Sequence, residues 1–143
     1  MSIFLDTGVF VAFENPRDTN HRAAMGLVEA AAEGTWGEVF TSDYVFDEAV
    51  TTALRRTRRP DAALRVGRLI LGTGPLGRLT GLVYVSPELF LRSWQQFARL
   101  IERGLSFTDC TTLELMRSLR VGELASFDAD FDGFVVRRSN RPD

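Results

Sequence analysis

The chain has 143 residues, 45% hydrophobic and 25% charged, with a formal net charge of −2; this suits one globular domain over 1–143 with a real core and excludes a disordered chain. All seventeen basic residues are Arg, so chemistry that needs a lysine, whether a P-loop or a Schiff base, is excluded. With one His (His21) and one Cys (Cys110), neither a structural zinc site nor an internal disulfide can form.

No apolar run is long enough to span a bilayer and no basic-then-apolar leader opens the chain, so no membrane association and a cytoplasmic address are expected. Ile3-Phe4-Leu5 reads as a buried parallel strand, and Asp6 as the cap of a helix reaching about Phe13. Asn20 can cap a helix through Ala31 to the Gly34 stop. Val39-Phe40-Thr41 follows as a strand, then Ser42 or Asp43 caps a helix whose apolar residues recur at i, i+4. Pro60 separates it from a helix to about Leu71. The Gly/Pro-rich loop Gly72–Gly81 then joins this helix to a strand over Leu82–Val85. Ser86-Pro87-Glu88 is a helix start, and Phe90, Trp94, Phe97 and Ile101 form one apolar stripe ending at Gly104. A helix from Thr108 to about Leu119 precedes two last strands, Leu124–Phe127 and Phe134–Val136. Alternating strands and helices predict an α/β sandwich with a mainly parallel central sheet flanked by helices.

Four acids stand at related places in this pattern. Asp6, Asp109 and Asp128 lie where a strand or loop gives way to a helix start, and Glu48 lies in an early helical turn. In an open α/β sheet the carboxyl ends of the strands share one edge, where ligands bind. Four carboxylates there repel one another unless something divalent sits between them, which points to metal-dependent phosphodiester chemistry. Each acid also has a plain structural role open to it. Asp6 and Asp128 can be N-caps, and Ser106-x-x-Asp109 is a capping-box pattern. Two details favour chemistry. Several acids fall at the same kind of junction, and Asp109 lies on the Leu113/Met116/Leu119 face of its helix, where a mere capping acid has no reason to point. Periodicity does not choose between Asp47 and Glu48. Receiver domains rely on a lysine absent here, and haloacid-dehalogenase-like phosphatases open with Asp-x-Asp where this chain reads Asp6-Thr7-Gly8. A Cys–His nucleophile would need His21 and Cys110 to meet; a small buried thiol is the expectation for Cys110.

At these residues the chain resembles the PIN-domain family, especially its VapC-type ribonuclease toxins, over nearly the whole length. Leu5-Asp6-Thr7 resembles the first family motif, Ser42-x-x-Val45-x-x-Glu48 the second, Leu105-Ser-Phe-Thr-Asp109 the third and Ser126-Phe-Asp128-x-Asp130-Phe131 the fourth. Asn20-His21-x-x-Ala24 is similar to a further segment of the family. The second motif selects Glu48 over Asp47. The fourth departs from the pattern, because Asp130 and Asp132 offer competing carboxylates.

The resemblance implies a PIN-like three-layer sandwich, a homodimer, and an acidic pocket for Mg²⁺ or Mn²⁺. It also implies endonucleolytic cleavage of RNA and a small antitoxin whose tail blocks the pocket. Asp6, Glu48, Asp109 and Asp128 are then the catalytic carboxylates. Asp6, Asp109 and Asp128 are the metal ligands, Glu48 and Asp130 are further candidates, and Thr7 and Ser126 are supporting hydroxyls. Hard divalent ions take oxygen ligands, and Mg²⁺ asks only one or two carboxylates beside water and phosphate. Arg55, Arg56, Arg58 and Arg59 are the candidate RNA contacts, against the alternative of a solvated helix end. A housekeeping RNA-processing nuclease and a non-catalytic RNA- or protein-binding scaffold are the alternative functions.

Overall fold

In a computed structural model that describes residues 1–143, strand and helix alternate along the chain. The order is β1 (Ser2–Leu5), α1 (Thr7–Glu14), α2 (His21–Ala32), β2 (Glu38–Ser42), α3 (Asp43–Thr57), α4 (Pro60–Leu71), β3 (Gly81–Val83), α5 (Pro87–Arg99), α6 (Phe107–Leu119), β4 (Glu123–Ala125) and β5 (Val136–Arg138). The five strands form one sheet in the order β3-β2-β1-β4-β5, and every pairing is parallel. Right-handed crossovers put the helices after β1 and β2 on one face and those after β3 on the other. The helix contacts agree, since α1 packs on α2, α3 and α4, while α5 packs on α6. No helix is long and apolar enough to cross a membrane.

The central strand β1 is buried from Ile3 to Leu5, as a parallel strand covered on both faces must be. Phe4, Phe10, Leu27, Ile70, Leu124 and Phe131 are fully buried and form the core around it. Serines start three helices by accepting a backbone N–H: Ser42 from Val45, Ser86 from Leu89 and Ser106 from Asp109.

Three expectations are corrected. The strand expected over Leu82–Val85 is Gly81–Val83, because the Val85 N–H leaves the ladder and donates to Asp43 Oδ1 at 3.1 Å. The last strand is Val136–Arg138 rather than Phe134–Val136. Gly133, at φ 91°, turns the chain first, and Phe134 and Val135 pack on the core from that turn. Paired edge residues carry the strand instead: Arg137 reaches Asp132 at 2.7 Å and Arg138 reaches Glu123 at 2.6 Å.

The third correction concerns α5. Its inward row is Leu89, Ser93, Gln96 and Leu100, roughly a quarter turn from the predicted aromatic stripe. Phe97 is partly buried, but Phe90, Trp94 and Ile101 are 43%, 56% and 56% exposed, leaving an apolar face outward. Small and amide side chains let α5 lie close on α6, while Phe90 and Phe97 pack edge-on against Phe107, with centroids 5.3 and 6.2 Å away.

Candidate active site

The connections run outward from β1 through β2 to β3, then cross back to β4 on the other side of β1. Such a reversal opens a crevice beyond the carboxyl ends of the two strands that flank it. Here those ends are Leu5 of β1 and Ala125 of β4, tied by Asp6 N–H donating to the Ala125 carbonyl at 3.0 Å. Asp6 and Ser126 are therefore neighbours although 120 positions apart in sequence.

Asp6 occupies the N-cap position of α1 but its carboxylate caps nothing. Its Oδ2 instead accepts a 2.7 Å hydrogen bond from the Ser126 hydroxyl, whose oxygen accepts the Asp128 N–H at 3.0 Å. One fully buried hydroxyl thus couples the acid after β1 to the acid after β4. Ser126→Ala is expected to cost about 1–3 kcal/mol, the penalty for stranding buried partners. It should also push the Asp6 pKa further up, since that hydrogen bond favours the charged form. Urea unfolding and carboxyl titration by NMR measure both; a cost under about 0.5 kcal/mol would show that water replaces the hydroxyl.

Asp109 requires a correction to the expectation that a capping acid would not point inward. It completes a capping box, its Oδ2 accepting the Ser106 N–H at 2.9 Å, and it also lines the cleft at 8% exposure. The two roles coexist because the cap occupies one carboxylate oxygen, leaving Oδ1 without a hydrogen bond. Glu48 lines the same cleft half-buried, while Asp47 is exposed and does not. Asp128 lines it from the exposed side, with Oδ1 accepting the Asp130 N–H at 2.9 Å. Of the competing acids, Asp130 is outside the cleft lining, and Asp132 is held by Arg137 at 2.7 and 3.1 Å.

The cleft has a volume of about 380 Å³ and is polar. Its electrostatics are those of carboxylates short of counter-charge. Burial pushes Asp6 up to about 7, with the Asp109 charge adding and the Ser126 hydrogen bond opposing. Glu48 is raised by burial and then by Asp109, and Asp109 by burial against its Ser106 hydrogen bonds. The Thr7 hydroxyl, buried on the same wall, has no hydrogen-bond partner, so the cleft wall lacks one polar contact.

These features bear on whether a cation fits. No three His, Cys, Asp or Glu side chains are close enough to enclose an ion among themselves. A closed chelate of the calcium or zinc kind is therefore a poor fit. An open hard-ion site fits: two buried carboxylates with raised pKa values, an unpartnered hydroxyl, and room for water and a phosphate oxygen.

Of Arg55, Arg56, Arg58 and Arg59, only Arg56 lines the cleft, its guanidinium 3.8 Å from Asp18 Oδ2. Arg58 is the left-handed C-cap of α3, and Arg59 turns to Asp61 at 3.1 Å. Sequence reasoning missed Asp18, Thr52 and Gly104 in the lining. Thr52 was open to discovery, at i+4 from Glu48 with Arg56 at i+8. Asp18 sits in a loop, where no periodicity announces it. Asn20 of the Asn20-His21 segment also lines the cleft. His21 instead ties α2 to the end of α1, its Nδ1 2.7 Å from the Ala12 carbonyl oxygen. Cys110 is fully buried, and that burial pushes its thiol up to about 11.

A PIN-domain family model matches residues 3–135. A VapC ribonuclease of Archaeoglobus fulgidus is 28% identical over 132 residues, covering 92% of this chain and 80% of its own. The 23S rRNA-specific endonuclease VapC20 of Mycobacterium tuberculosis is 30% identical over 142 residues, 95% of this chain and 98% of its own. The crystal structure of VapC20, a sarcin–ricin loop cleaving toxin, superposes with a TM-score of 0.81 over 98% of this chain and 99% of that one. VapBC2 of Rickettsia felis, bound to a DNA fragment from its promoter, superposes at 0.66 over 96% of this chain and 98% of that one, with 13% identity; this likeness is of fold alone. With the all-parallel sheet, the acidic cleft at its strand reversal and a match across almost the whole length, the chain belongs to the PIN-domain family.

Proposed function

We propose that the protein is a divalent-metal-dependent endoribonuclease that acts as the toxin of a type II toxin–antitoxin pair. The observation that carries this reading is the convergence of Asp6, Glu48, Asp109 and Asp128, from four separate segments, on one cleft at the strand reversal. The VapC ribonuclease relatives share its extent and fold.

In this reading Asp6, Asp109 and Asp128 would hold Mg²⁺ or Mn²⁺ as an open site, one or two of them directly and the rest through water, with Glu48 beside them and Asp130 at the margin. The ion, when bound, supplies an activated water and a counter-charge for the leaving oxygen. The chain does the remaining work. Ser126 fixes the Asp6 carboxylate through its hydroxyl and orients Asp128 through that residue's N–H. The capping box holds one oxygen of Asp109 and so aims the other. The unpartnered Thr7 hydroxyl offers a donor to a phosphate oxygen or to a bound water. Asp6, pushed up to about 7 by burial, would serve as a ligand in its deprotonated form, so ion binding there would compete with a proton.

The test is incubation of the purified protein with total RNA and Mn²⁺, with and without EDTA, followed by mapping of the new ends. A ribosomal RNA stem-loop is the first defined substrate to try, because the 30%-identical relative is 23S rRNA-specific. Cleavage that EDTA leaves unchanged would overturn the metal reading. A small antitoxin is the expected partner, covering the cleft.

A homodimer is the expected assembly, and the outward apolar face of α5 is the surface assigned to it. Trp94→Glu with Phe90→Glu should convert a dimer to a monomer in multi-angle light scattering. A wild type that is monomeric, or a variant that stays dimeric, removes that assignment.

A further inference from the structure

The acidic cleft poses a problem for a polyanionic substrate, since its five acids face a single basic side chain, Arg56. The scissile phosphate can be matched by a cation, but the flanking phosphates need positive charge close by. A second groove supplies it. About 380 Å³ in volume, it runs between the α1–α2 loop and the junction of α3 with α4. Arg17, Arg56, Arg59 and Arg65 line it against one acid, Glu14. Arg56 belongs to both walls, so the cleft and the groove meet at its guanidinium.

The arrangement along α3 is ordered. Glu48, Thr52 and Arg56 succeed one another at i, i+4 and i+8 on the cleft side, about 12 Å from first to last along the helix axis. Neighbouring acids hold the guanidiniums in place: Asp18 near Arg56 at 3.8 Å, Asp61 against Arg59 and Arg65 at 3.1 and 2.8 Å, and Glu14 near Arg65 at 3.5 Å. Arg56 remains 60% exposed with one long ion pair, so its fork is open to a phosphate. Arg55 and Arg58, in the same sequence run, line neither cavity.

We propose that this groove seats the sugar–phosphate backbone of single-stranded RNA a few nucleotides to one side of the scissile bond, with Arg56 marking where the strand leaves the acidic cleft. The proposal rests on the endoribonuclease reading and divides the arginine run into two functional halves. One half, Arg56 and Arg59, joins Arg17 and Arg65 on the substrate path. The other half, Arg55 and Arg58, lies off it.

The test compares Arg17→Ala/Arg56→Ala/Arg59→Ala with a control pair, Arg55→Ala/Arg58→Gly; glycine suits the left-handed backbone at position 58. Two readouts are used. One is binding of a labelled mixed-sequence single-stranded RNA in Ca²⁺ across a salt series, and the other is cleavage kinetics in Mn²⁺ on total RNA and on the defined RNA whose cut ends the total-RNA mapping gives. The triple variant should lose about 2 from the salt slope, near 0.7 per phosphate contact on single strands. Its KM should rise at least about tenfold with kcat within about twofold. Arg56→Lys should retain part of the affinity, and the control pair should match wild type. Arg56→Gln alone carries the comparison if the triple variant melts early. A control pair that lowers the slope as much as the triple variant, or a triple variant unchanged in slope and KM, overturns the groove. The two readings separate cleanly. Wild type that cleaves while the triple variant is unaffected refutes the groove and keeps the nuclease. Wild type that binds RNA through these arginines but never cuts refutes the nuclease and keeps the groove.

Discussion

Asp6→Asn, Glu48→Gln and Asp109→Asn are each expected to lower RNA cleavage in Mn²⁺ by at least about a hundredfold while the protein stays folded. On the metal-dependent reading each change removes a carboxylate from an open site with few ligands to spare, and the effect should fall on kcat. The amides are close to isosteric, and local structure survives them. In Asp109→Asn the amide oxygen can still accept the Ser106 N–H, and in Asp6→Asn it can still accept the Ser126 hydroxyl, so neither helix start is lost. Asp128→Asn should be nearly as severe, because Asp128 lines the cleft. Asp130→Asn should be mild and Asp132→Asn without effect, the latter losing only an exposed ion pair to Arg137. Initial rates on a labelled RNA, beside circular dichroism of each variant, decide this. If two of the first three variants keep full activity, the carboxylates are not a metal site.

Stability without metal should fall as pH rises from about 4 to 7, opposite to the usual behaviour of paired carboxylates. Asp6 titrates near 3.8 in the unfolded chain and near 7 in the folded one, so the folded state binds more protons throughout that interval. A group raised in this way gives its full stability below the unfolded pKa and loses it as pH climbs through the folded value. The swing for Asp6 alone is on the order of 4 kcal/mol. Asp109 and Glu48, raised in the same direction by burial, add to it. On the metal-dependent reading Mn²⁺ should bind the deprotonated cluster and reverse the trend near pH 7, adding about 2.7 kcal/mol at a hundred times its dissociation constant. Asp109→Asn removes one repelling charge. That variant should melt at or above wild type in EDTA and lose most of the gain from Mn²⁺. Melting curves at pH 5, 6 and 7 in EDTA and in Mn²⁺ give the answer, and equal Mn²⁺ shifts in both proteins would mean that Asp109 serves only its capping box and is no metal ligand.

Much of this molecule is legible in the order of its residues, because the signals are local. Ser42, Ser86 and Ser106 start helices where a hydroxyl precedes the periodic run, and each accepts the N–H three residues on. Ile3-Phe4-Leu5 is an apolar run in the central strand and Val39-Phe40 one in the strand beside it, where cover on both faces suppresses alternation. The succession of strand and helix sufficed for an α/β sheet, and motif spacing brought four acids under suspicion.

What local signals could not carry was decided by packing at a distance. Asp47 and Glu48 flank the apolar arc of α3 almost symmetrically, and only the approach of α6 and of the loop after β4 makes one of them a wall of the cleft. The aromatic stripe on α5 reads as a core face, but the fit against α6 favours the side bearing Ser93 and Gln96 and turns Trp94 outward. The last strand moved two residues because an edge strand buries little, leaving the Gly133 turn and the Arg137–Asp132 pair to set its register. Among the arginines, composition marks a basic run without distinguishing its members. Asp18 and the α1–α2 loop single out Arg56, since a contact between a loop and a helix 38 residues later leaves no periodic trace in the chain.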